Sequence, residues 1–541
     1  MCRKTLFPAL VLLIATACTQ QNFDAIIQNG TIYNGTGDAP FTADIGIRAD
    51  TIAAIGDLNF SDAPVIIDAE GLAVSPGFIN MLSWANYSLL NDGRSMSNIK
   101  QGVTLEIFGE GSSMGPLNEE MQQNNARPWT TLGEYLEHLT KEQGVSTNVA
   151  SFVGATTIRQ HVIGSQNVAP TPDELKQMQQ LVREAMEEGA LGVGSSLIYA
   201  PAFFASTEEL IALAEAAAEY GGTYISHIRS EGDDLLKATD ELFTIATEAE
   251  IDAQIYHLKA AGKRNWDKLP LVLTKIDSLR NLGHNISANM YTYTAASTGL
   301  DATIPPTVQE GSYRDFINRL KQPEVRKQVL NSMRSPQTDW ENFYQLAESP
   351  ENILLVEFSE DSLKYLTGKN LSEISEMRST DPAETIIDLI IENDGDISSV
   401  FFLMSEENVR TKIEVPYMSF GSDARSIAAE GKVLESSTHP RTYGTFARLL
   451  GKYVRDENVI PLQEAIYRLT GLPAKNLKLQ KRGYLSEGYF SDIVIFDPAE
   501  IEDKATFTEP HQYAVGVHHV FVNGVQVLKD GEHTKAMPGQ V

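Results

Sequence analysis

Short apolar runs of β type alternate with longer segments of helical periodicity through most of this chain. The runs fall near 78–84, 103–109, 148–154, 190–197, 222–228, 252–258, 286–292 and 416–423, and several of the segments between them carry helix start and stop signals. Thr171-Pro172-Asp173-Glu174 places an N-cap, a first-turn proline and a capping-box glutamate ahead of Leu175, Met178, Leu181 and Val182, with Gly189 at the far end. Ser206 and Glu209 repeat the pattern before Leu210, Leu213 and Ala214, and Gly221-Gly222 ends that helix. The alternation predicts an α/β fold, a (β/α)8 TIM-like barrel, with its active site at the C-terminal ends of the strands.

Two regions depart from this rhythm. Residues from Phe23 to about 75, and those after about 475, hold short alternating runs beside Asn29-Gly30, Asn34-Gly35, Asn523-Gly524 and Asp530-Gly531, which is hairpin chemistry. Neither end offers enough strands for an independent core, so the two are expected to pair into one small β-sandwich domain. The interval of about 296–412 is too long for a simple crossover and reads as an inserted lid or subdomain near the site. The expected organisation is 1–17 as a signal peptide, 18–75 and 476–541 as the two parts of the sandwich, and 76–475 as the barrel.

Met1-Cys2-Arg3-Lys4, an apolar stretch from Thr5 to Ala15, and small residues before Cys18 describe a secretory signal rather than a membrane span. Ala15-Thr16-Ala17-Cys18 resembles a bacterial lipoprotein cleavage box, which predicts lipidation of Cys18; simple cleavage after Ala17 is the alternative. Thr19 follows, where no Asp signals inner-membrane retention, so the expected location is the bacterial cell envelope, facing the periplasm from the outer membrane. Cys2 and Cys18 are the only cysteines of the chain, and the mature protein can form no internal disulfide.

The formal charge of −29 becomes more negative still once Arg3 and Lys4 leave with the signal. Such an excess of carboxylate repels nucleic acid and anionic lipid headgroups, so membrane attachment should come through the lipid anchor alone. An anionic substrate would need a local cluster of cations.

Within the barrel pattern, His227 ends Tyr224-Ile225-Ser226-His227 and His257 ends Gln254-Ile255-Tyr256-His257, while Asp423 closes Ser419-Phe420-Gly421-Ser422-Asp423. Two neutral imidazoles can hold a divalent metal, and a later carboxylate can move the proton of an attacking water. The set points to metal-assisted hydrolysis. The glycine-rich loop from Gly109 to Gly115 lacks the Gly-Lys-Ser/Thr ending of a phosphate loop, which argues against nucleotide binding.

Further motifs run through nearly all of the mature chain: Val74-Ser75-Pro76-Gly77-Phe78-Ile79-Asn80, Gly102-Val103-Thr104, Gly189-Ala190-Leu191-Gly192-Val193, Ser226-His227-Ile228-Arg229, His257-Leu258-Lys259-Ala260-Ala261-Gly262, Tyr291-Thr292-Tyr293, His439-Pro440-Arg441-Thr442-Tyr443-Gly444-Thr445-Phe446 and the stretch from Gly483 to Val494. In this order they resemble the amidohydrolase superfamily, in its N-acyl-D-amino-acid deacylase (D-aminoacylase) branch. The resemblance implies that His227 and His257 bind a catalytic zinc and that Asp423 is the general acid/base. It also implies that Lys259, Tyr293 and Arg441, with Ser297 as a further candidate, bind the substrate α-carboxylate.

Two departures from the family pattern matter. The usual His-x-His pair after the first strand is replaced by Leu82 and Trp84, neither of which is a zinc ligand. In the D-aminoacylases that pair serves a second, weakly occupied metal position, so one Zn2+ per chain is expected. The place of the family's cysteine ligand falls on Glu110, which is either a third zinc ligand or a loop glutamate facing water. The expected activity is removal of the acyl group from N-acyl-D-amino acids or related small amides. A dipeptidase or cyclic-amide hydrolase on the same scaffold, and a catalytically inactive ligand-binding lipoprotein, are the alternatives.

Overall fold

The computed structural model describes residues 22–541 apart from positions 60 and 126; the expected signal segment and Cys18 lie outside the described residues. Strands β1 (Ala25–Ile32), β2 (Phe41–Arg48), β3 (Thr51–Gly56), β4 (Val65–Asp68) and β5 (Ala73–Pro76) come from the N-terminal end. Each of the eight apolar runs then contains a strand: β6 (Phe78–Asn80), β7 (Val103–Phe108), β8 (Asn148–Ser151) with its continuation β9 (Val153–Gly154), β10 (Gly192–Ser196), β11 (Thr223–His227), β12 (Asp252–Ile255), β13 (Ile286–Met290) and, further on, Met418–Phe420.

These strands pair in parallel in two ladders among the described residues, β6-β7-β8 and β9-β10-β11-β12-β13 followed by Met418–Phe420. Phe152 alone separates β8 from β9. At the other side Met81 N–H donates to the Phe420 carbonyl at 3.1 Å and Asp423 N–H to the Leu82 carbonyl at 2.9 Å, so the first and last strands meet. Ile79, Met81, Leu82, Leu105, Ile107, Phe152, Ile225 and Tyr256 form one buried cluster within the strands. Met178, Val182, Val193, Leu210, Leu213 and Leu242 belong to the larger core that packs strands against helices. The helix Pro172–Glu187 begins with the capping box anticipated at Thr171 and Glu174, including the proline in the first turn.

The long interval before the last of these strands has its own buried core, including Phe316, Leu320, Met333, Leu355, Ile386 and Phe401. Strands β14 (Ala295–Gly299), β15 (Ile353–Glu357) and β16 (Ser398–Phe402) make a separate antiparallel sheet there, in the order β14-β16-β15. Met418–Phe420 is β17. The chain ends with β18 (Ile493–Phe496), β19 (Val517–Val522), β20 (Val525–Lys529) and β21 (Glu532–His533).

The two chain ends do come together. β18 pairs antiparallel with β5, with Ile493 opposite Pro76 and Phe496 opposite Ala73. Hydrogen bonding makes of them one continuous nine-stranded sheet among the described residues, rather than two separate ladders. Ile27, Ile45 and Val74 from one end share a buried cluster with Ile493, Ile495 and Phe521 from the other, which is why neither half could bury its apolar face alone. No helix of the described residues is long and apolar enough to cross a membrane.

Candidate metal centre and active site

A cavity of about 890 Å3 opens where the parallel strands end, walled on one side by the inserted region. Trp84 after β6, Glu110 after β7, Tyr199 after β10, His227 on β11, His257 after β12, Tyr291 after β13 and Asp423 after β17 all line it. His227 faces inward by simple alternation, since Ile225 two residues earlier belongs to the inner cluster. The other three charged or imidazole residues lie beyond their strands and are re-aimed by left-handed backbone: φ is +103° at Gly109, just before Glu110, 31° at His257 itself and 49° at Asp423 itself. A non-glycine residue held there is strained, and such positions concentrate at functional sites. The Asn289 side chain accepts the His257 N–H at 2.8 Å and supports the unusual conformation.

Glycine is required on both sides of Glu110. A Cβ at Gly109 would meet the Phe152 carbonyl oxygen at 2.3 Å, and one at Gly111 would meet the Ser196 Cβ at 2.6 Å. The tight loop buries Glu110 to 5% exposure. One of the two alternatives for this residue, a loop glutamate in water, does not hold.

Glu110 Oε1 lies 3.1 Å from His227 Nδ1 and 2.8 Å from His257 Nε2. These three are buried and offer ligand atoms mutually within 4.8 Å. The donor set, two imidazoles and a carboxylate, suits zinc. The remaining ring nitrogen of His227, Nε2, faces Glu231 instead and makes no hydrogen bond among the described residues. Burial opposes the charge of Glu110, yet the positive charge of His257 and bonds to both imidazoles hold its carboxyl below the usual range. His257 is pushed the other way, up to about 9: burial and Lys259 oppose its protonation, but Glu231 and Glu110 outweigh them.

Behind the cluster stands Glu231, 2% exposed. Its Oε1 is 3.0 Å from His257 Nδ1 and 2.7 Å from Lys259 Nζ, and Oε2 is 3.5 Å from His227 Nε2. A carboxylate on the far ring nitrogen of a ligand histidine fixes its orientation and strengthens it as a donor. Burial disfavours the Glu231 charge, but Lys259 and the two histidines hold its carboxyl below the usual range. Glu231 is in turn tied to the inserted region: Glu341 accepts the Glu231 backbone N–H at 2.9 Å and the Ser230 hydroxyl at 2.7 Å.

Asp423 stands across the cavity. Trp84 Nε1–H donates to Asp423 Oδ1 at 3.2 Å and also to Glu110 Oε2 at 2.9 Å. Arg441 Nη1 is ion-paired with Asp423 Oδ2 at 2.7 Å, and Arg441 Nη2 donates to the Ser297 carbonyl at 3.1 Å. The guanidinium lies 4.6 Å over the Tyr291 ring. His439 holds its backbone: Nε2 donates to the Ala295 carbonyl at 2.9 Å and Nδ1 accepts the Arg441 N–H at 2.9 Å. That tautomer is neutral, in keeping with burial and the Arg441 charge, which depress His439 well below its ordinary value. Burial raises Asp423 above the usual Asp range, while Arg441 and His257 work against the rise.

Of the residues anticipated from sequence, the structure brings Glu110, His227, His257, Lys259, Ser297, Asp423 and Arg441 to one cavity. Tyr293 is not among them. Its hydroxyl donates to Asp503 Oδ2 at 3.2 Å and reaches the Pro440 carbonyl at 3.4 Å, and it does not line the cavity. Tyr291 lines it instead: it is 2% exposed and its hydroxyl is buried with no hydrogen-bond partner among the described residues. The sequence reading also passed over Glu231, Trp84 as a donor, and His439. For Glu231 the available signal was its place four residues after His227, and for His439 its place two before Arg441.

Comparison with known proteins agrees with this geometry. A model described as "Amidohydrolase family" matches residues 421–528. The D-aminoacylase of Alcaligenes xylosoxydans xylosoxydans is 31% identical over 530 residues, 96% of this chain and 98% of that protein. A crystal structure of D-aminoacylase superposes with a TM-score of 0.78 at 30% identity, over 96% of this chain and 99% of the other. N-acyl-D-glutamate deacylase from Bordetella bronchiseptica, complexed with zinc and a phosphonate mimic of the tetrahedral intermediate, superposes with a TM-score of 0.81 at 28% identity, over 96% and 99% of the two chains. The chain therefore belongs to the amidohydrolase superfamily, in its D-aminoacylase branch, and is a metal-dependent amidohydrolase.

Proposed function

We propose that this protein removes the acyl group from N-acyl-D-amino acids or closely related small amides, using one zinc ion held by Glu110, His227 and His257. The observation that carries the reading is the convergence of those three residues with Asp423 and Arg441 on one cavity. A zinc ion at this position supplies Lewis acidity to the acyl carbonyl and to the attacking water.

The protein's own groups do the rest. Arg441, whose Nε and Nη1 make no hydrogen bond among the described residues, Lys259 and the free Tyr291 hydroxyl bind the substrate α-carboxylate, and Arg441 can do so bidentately. Holding that end fixes the amide relative to the metal ligands. Asp423 takes a proton from the water as its oxygen bonds to the acyl carbon, then delivers a proton to the leaving nitrogen as the C–N bond breaks. The products are a carboxylic acid and a free amino acid. Glu231 keeps His257 oriented throughout.

In the same reading the parallel strands close into a (β/α)8 barrel, the sheet of the two chain ends folds into a small β-sandwich, and Cys18 carries the lipid that anchors the protein in the outer membrane, facing the periplasm. The D configuration is supported by the D-aminoacylase and N-acyl-D-glutamate deacylase relatives.

Hydrolysis of paired N-acyl-D- and N-acyl-L-amino acids, dipeptides and hydantoins by the purified protein tests the proposal. Release of amino acid from the N-acyl-D series ahead of the rest is the expected result. Preference for dipeptides or hydantoins would replace it with the other hydrolase activity, and no turnover of any substrate by the zinc-loaded protein would favour a ligand-binding role.

A further inference from the structure

We propose that Trp84 is a positioning residue, an N–H clamp between Glu110 and Asp423 that also limits the centre to a single metal ion. The inference rests on the functional reading above.

An indole nitrogen can only donate, and here its one hydrogen faces two carboxylates that follow the strands on either side of β6, β7 and β17. Glu110 Oε2 is at 2.9 Å and Asp423 Oδ1 at 3.2 Å. Each carboxylate has its other oxygen engaged elsewhere, Glu110 Oε1 with the two histidines and Asp423 Oδ2 with Arg441. With both oxygens anchored, neither carboxylate can rotate freely about its terminal bond. Glu110 keeps one oxygen toward the metal ligands, and Asp423 keeps one face toward the cavity.

The clamp is itself fixed by backbone. Trp84 N–H donates to the Ala424 carbonyl at 3.0 Å, and Asp423 N–H donates to the Leu82 carbonyl at 2.9 Å, so the indole and Asp423 ride on adjoining rungs where the first and last strands meet. Two carboxylates buried to 5% and 8% exposure repel one another, and a shared donor relieves this without adding charge. A cation bridging Glu110 Oε2 and Asp423 Oδ1 would need the space that the indole N–H fills. Leu82, fully buried in the inner cluster, offers no ligand atom in its place.

Trp84→Phe keeps an aromatic filler and removes the donor, whereas Trp84→His adds a metal ligand. Zinc content after equilibration with rising free zinc, kcat and KM of the zinc-loaded proteins, and the near-UV circular dichroism as a check of fold are the measurements. Trp84→Phe should remain folded, hold one zinc, keep KM and lose about 10–100-fold in kcat, the range for loss of a partner that orients a metal site. Trp84→His should take up a second zinc. Should Trp84→Phe not fold, benzothienylalanine at position 84, with sulfur in place of N–H and the same outline, carries the same expectation. Unchanged kcat in the donor-free protein would overturn the clamp; a single zinc in Trp84→His, or two in the wild type, would overturn the limit to one ion. The zinc counts decide that second part even if the wild type proves inactive on N-acyl-D-amino acids, so failure of the one-ion limit and failure of the functional reading are distinguishable.

Discussion

Arg441 Nη1 lies 2.7 Å from Asp423 Oδ2, yet among the described residues neither Nη1 nor Nε of that guanidinium makes a hydrogen bond. The contact is an ion pair without hydrogen-bond alignment, which leaves the cation free to donate to a substrate carboxylate while it stands beside the residue proposed to move protons. The two side chains should therefore separate in kinetics. Asp423→Asn should keep its metal and lose about 10²–10⁴-fold in kcat. Arg441→Met should chiefly lower kcat/KM for carboxylate-bearing substrates and affect neutral amide analogues much less. Equal damage to both substrate types in a folded Arg441→Met would remove its carboxylate role.

Glu110 and Glu231 occupy different places around the same histidines, and metal affinity should rank them. Glu231→Gln should weaken zinc binding by about 10–100-fold, as expected for a partner that orients a ligand. Glu110→Ala should weaken it further, because a ligand atom itself is lost. Competition titrations with a chromophoric chelator measure both, and equal affinities for wild type and Glu110→Ala would exclude that residue from the metal site.

The substrate-binding role expected of Tyr293 from the sequence should fall to Tyr291. In the proposed function the Tyr291 hydroxyl binds substrate, so Tyr291→Phe should raise KM about tenfold or more, the value of a hydrogen bond to a charged group, with little change in thermal stability. Tyr293 bonds to Asp503, so Tyr293→Phe should cost about 1 kcal/mol of stability and leave KM unaltered. The reverse pattern would restore Tyr293 to the substrate site.

Glu341 should leave a mark on stability against pH. Burial raises it to about 7 from an ordinary 4.5, with the Ser230 hydrogen bond opposing and the Glu231 charge adding to the rise. Between those values the folded protein holds a proton that the unfolded chain has lost, so this group's contribution to stability falls as pH rises through that window. Glu341→Gln retains an acceptor for the Glu231 N–H, and the Ser230 hydroxyl can turn to accept from the new amide. Denaturant unfolding at pH 5 and pH 8 should show the variant gaining on the wild type at the higher pH, by at most about 3 kcal/mol. A constant difference between the two proteins would contradict it.

Much of this was legible before the structure, and the physical reasons for the remainder are specific. Strand runs and capping boxes are local patterns, so β6 to β13, β17 and the start of the helix Pro172–Glu187 could be read directly. His227 follows from alternation along β11. Tyr291 and Tyr293 have the same parity and would share a face if β13 continued, but the strand ends at Met290 and parity no longer decides which one faces the cavity. Trp84 is silent for a different reason: an indole is no metal ligand, and its N–H acquires meaning only when carboxylates from two distant strands are brought beside it. Glu231 has a sequence signal in its spacing four residues after His227, but spacing alone does not show that it also meets His257 and Lys259.

Titration of the metal-free protein with zinc is the sharpest test of a one-metal hydrolytic centre acting on N-acyl-D-amino acids. Hydrolysis of an N-acyl-D-amino acid should be absent without metal, rise linearly, and reach its plateau at one zinc per chain. A plateau at two, or hydrolysis that persists in the thoroughly metal-free protein, would contradict the account.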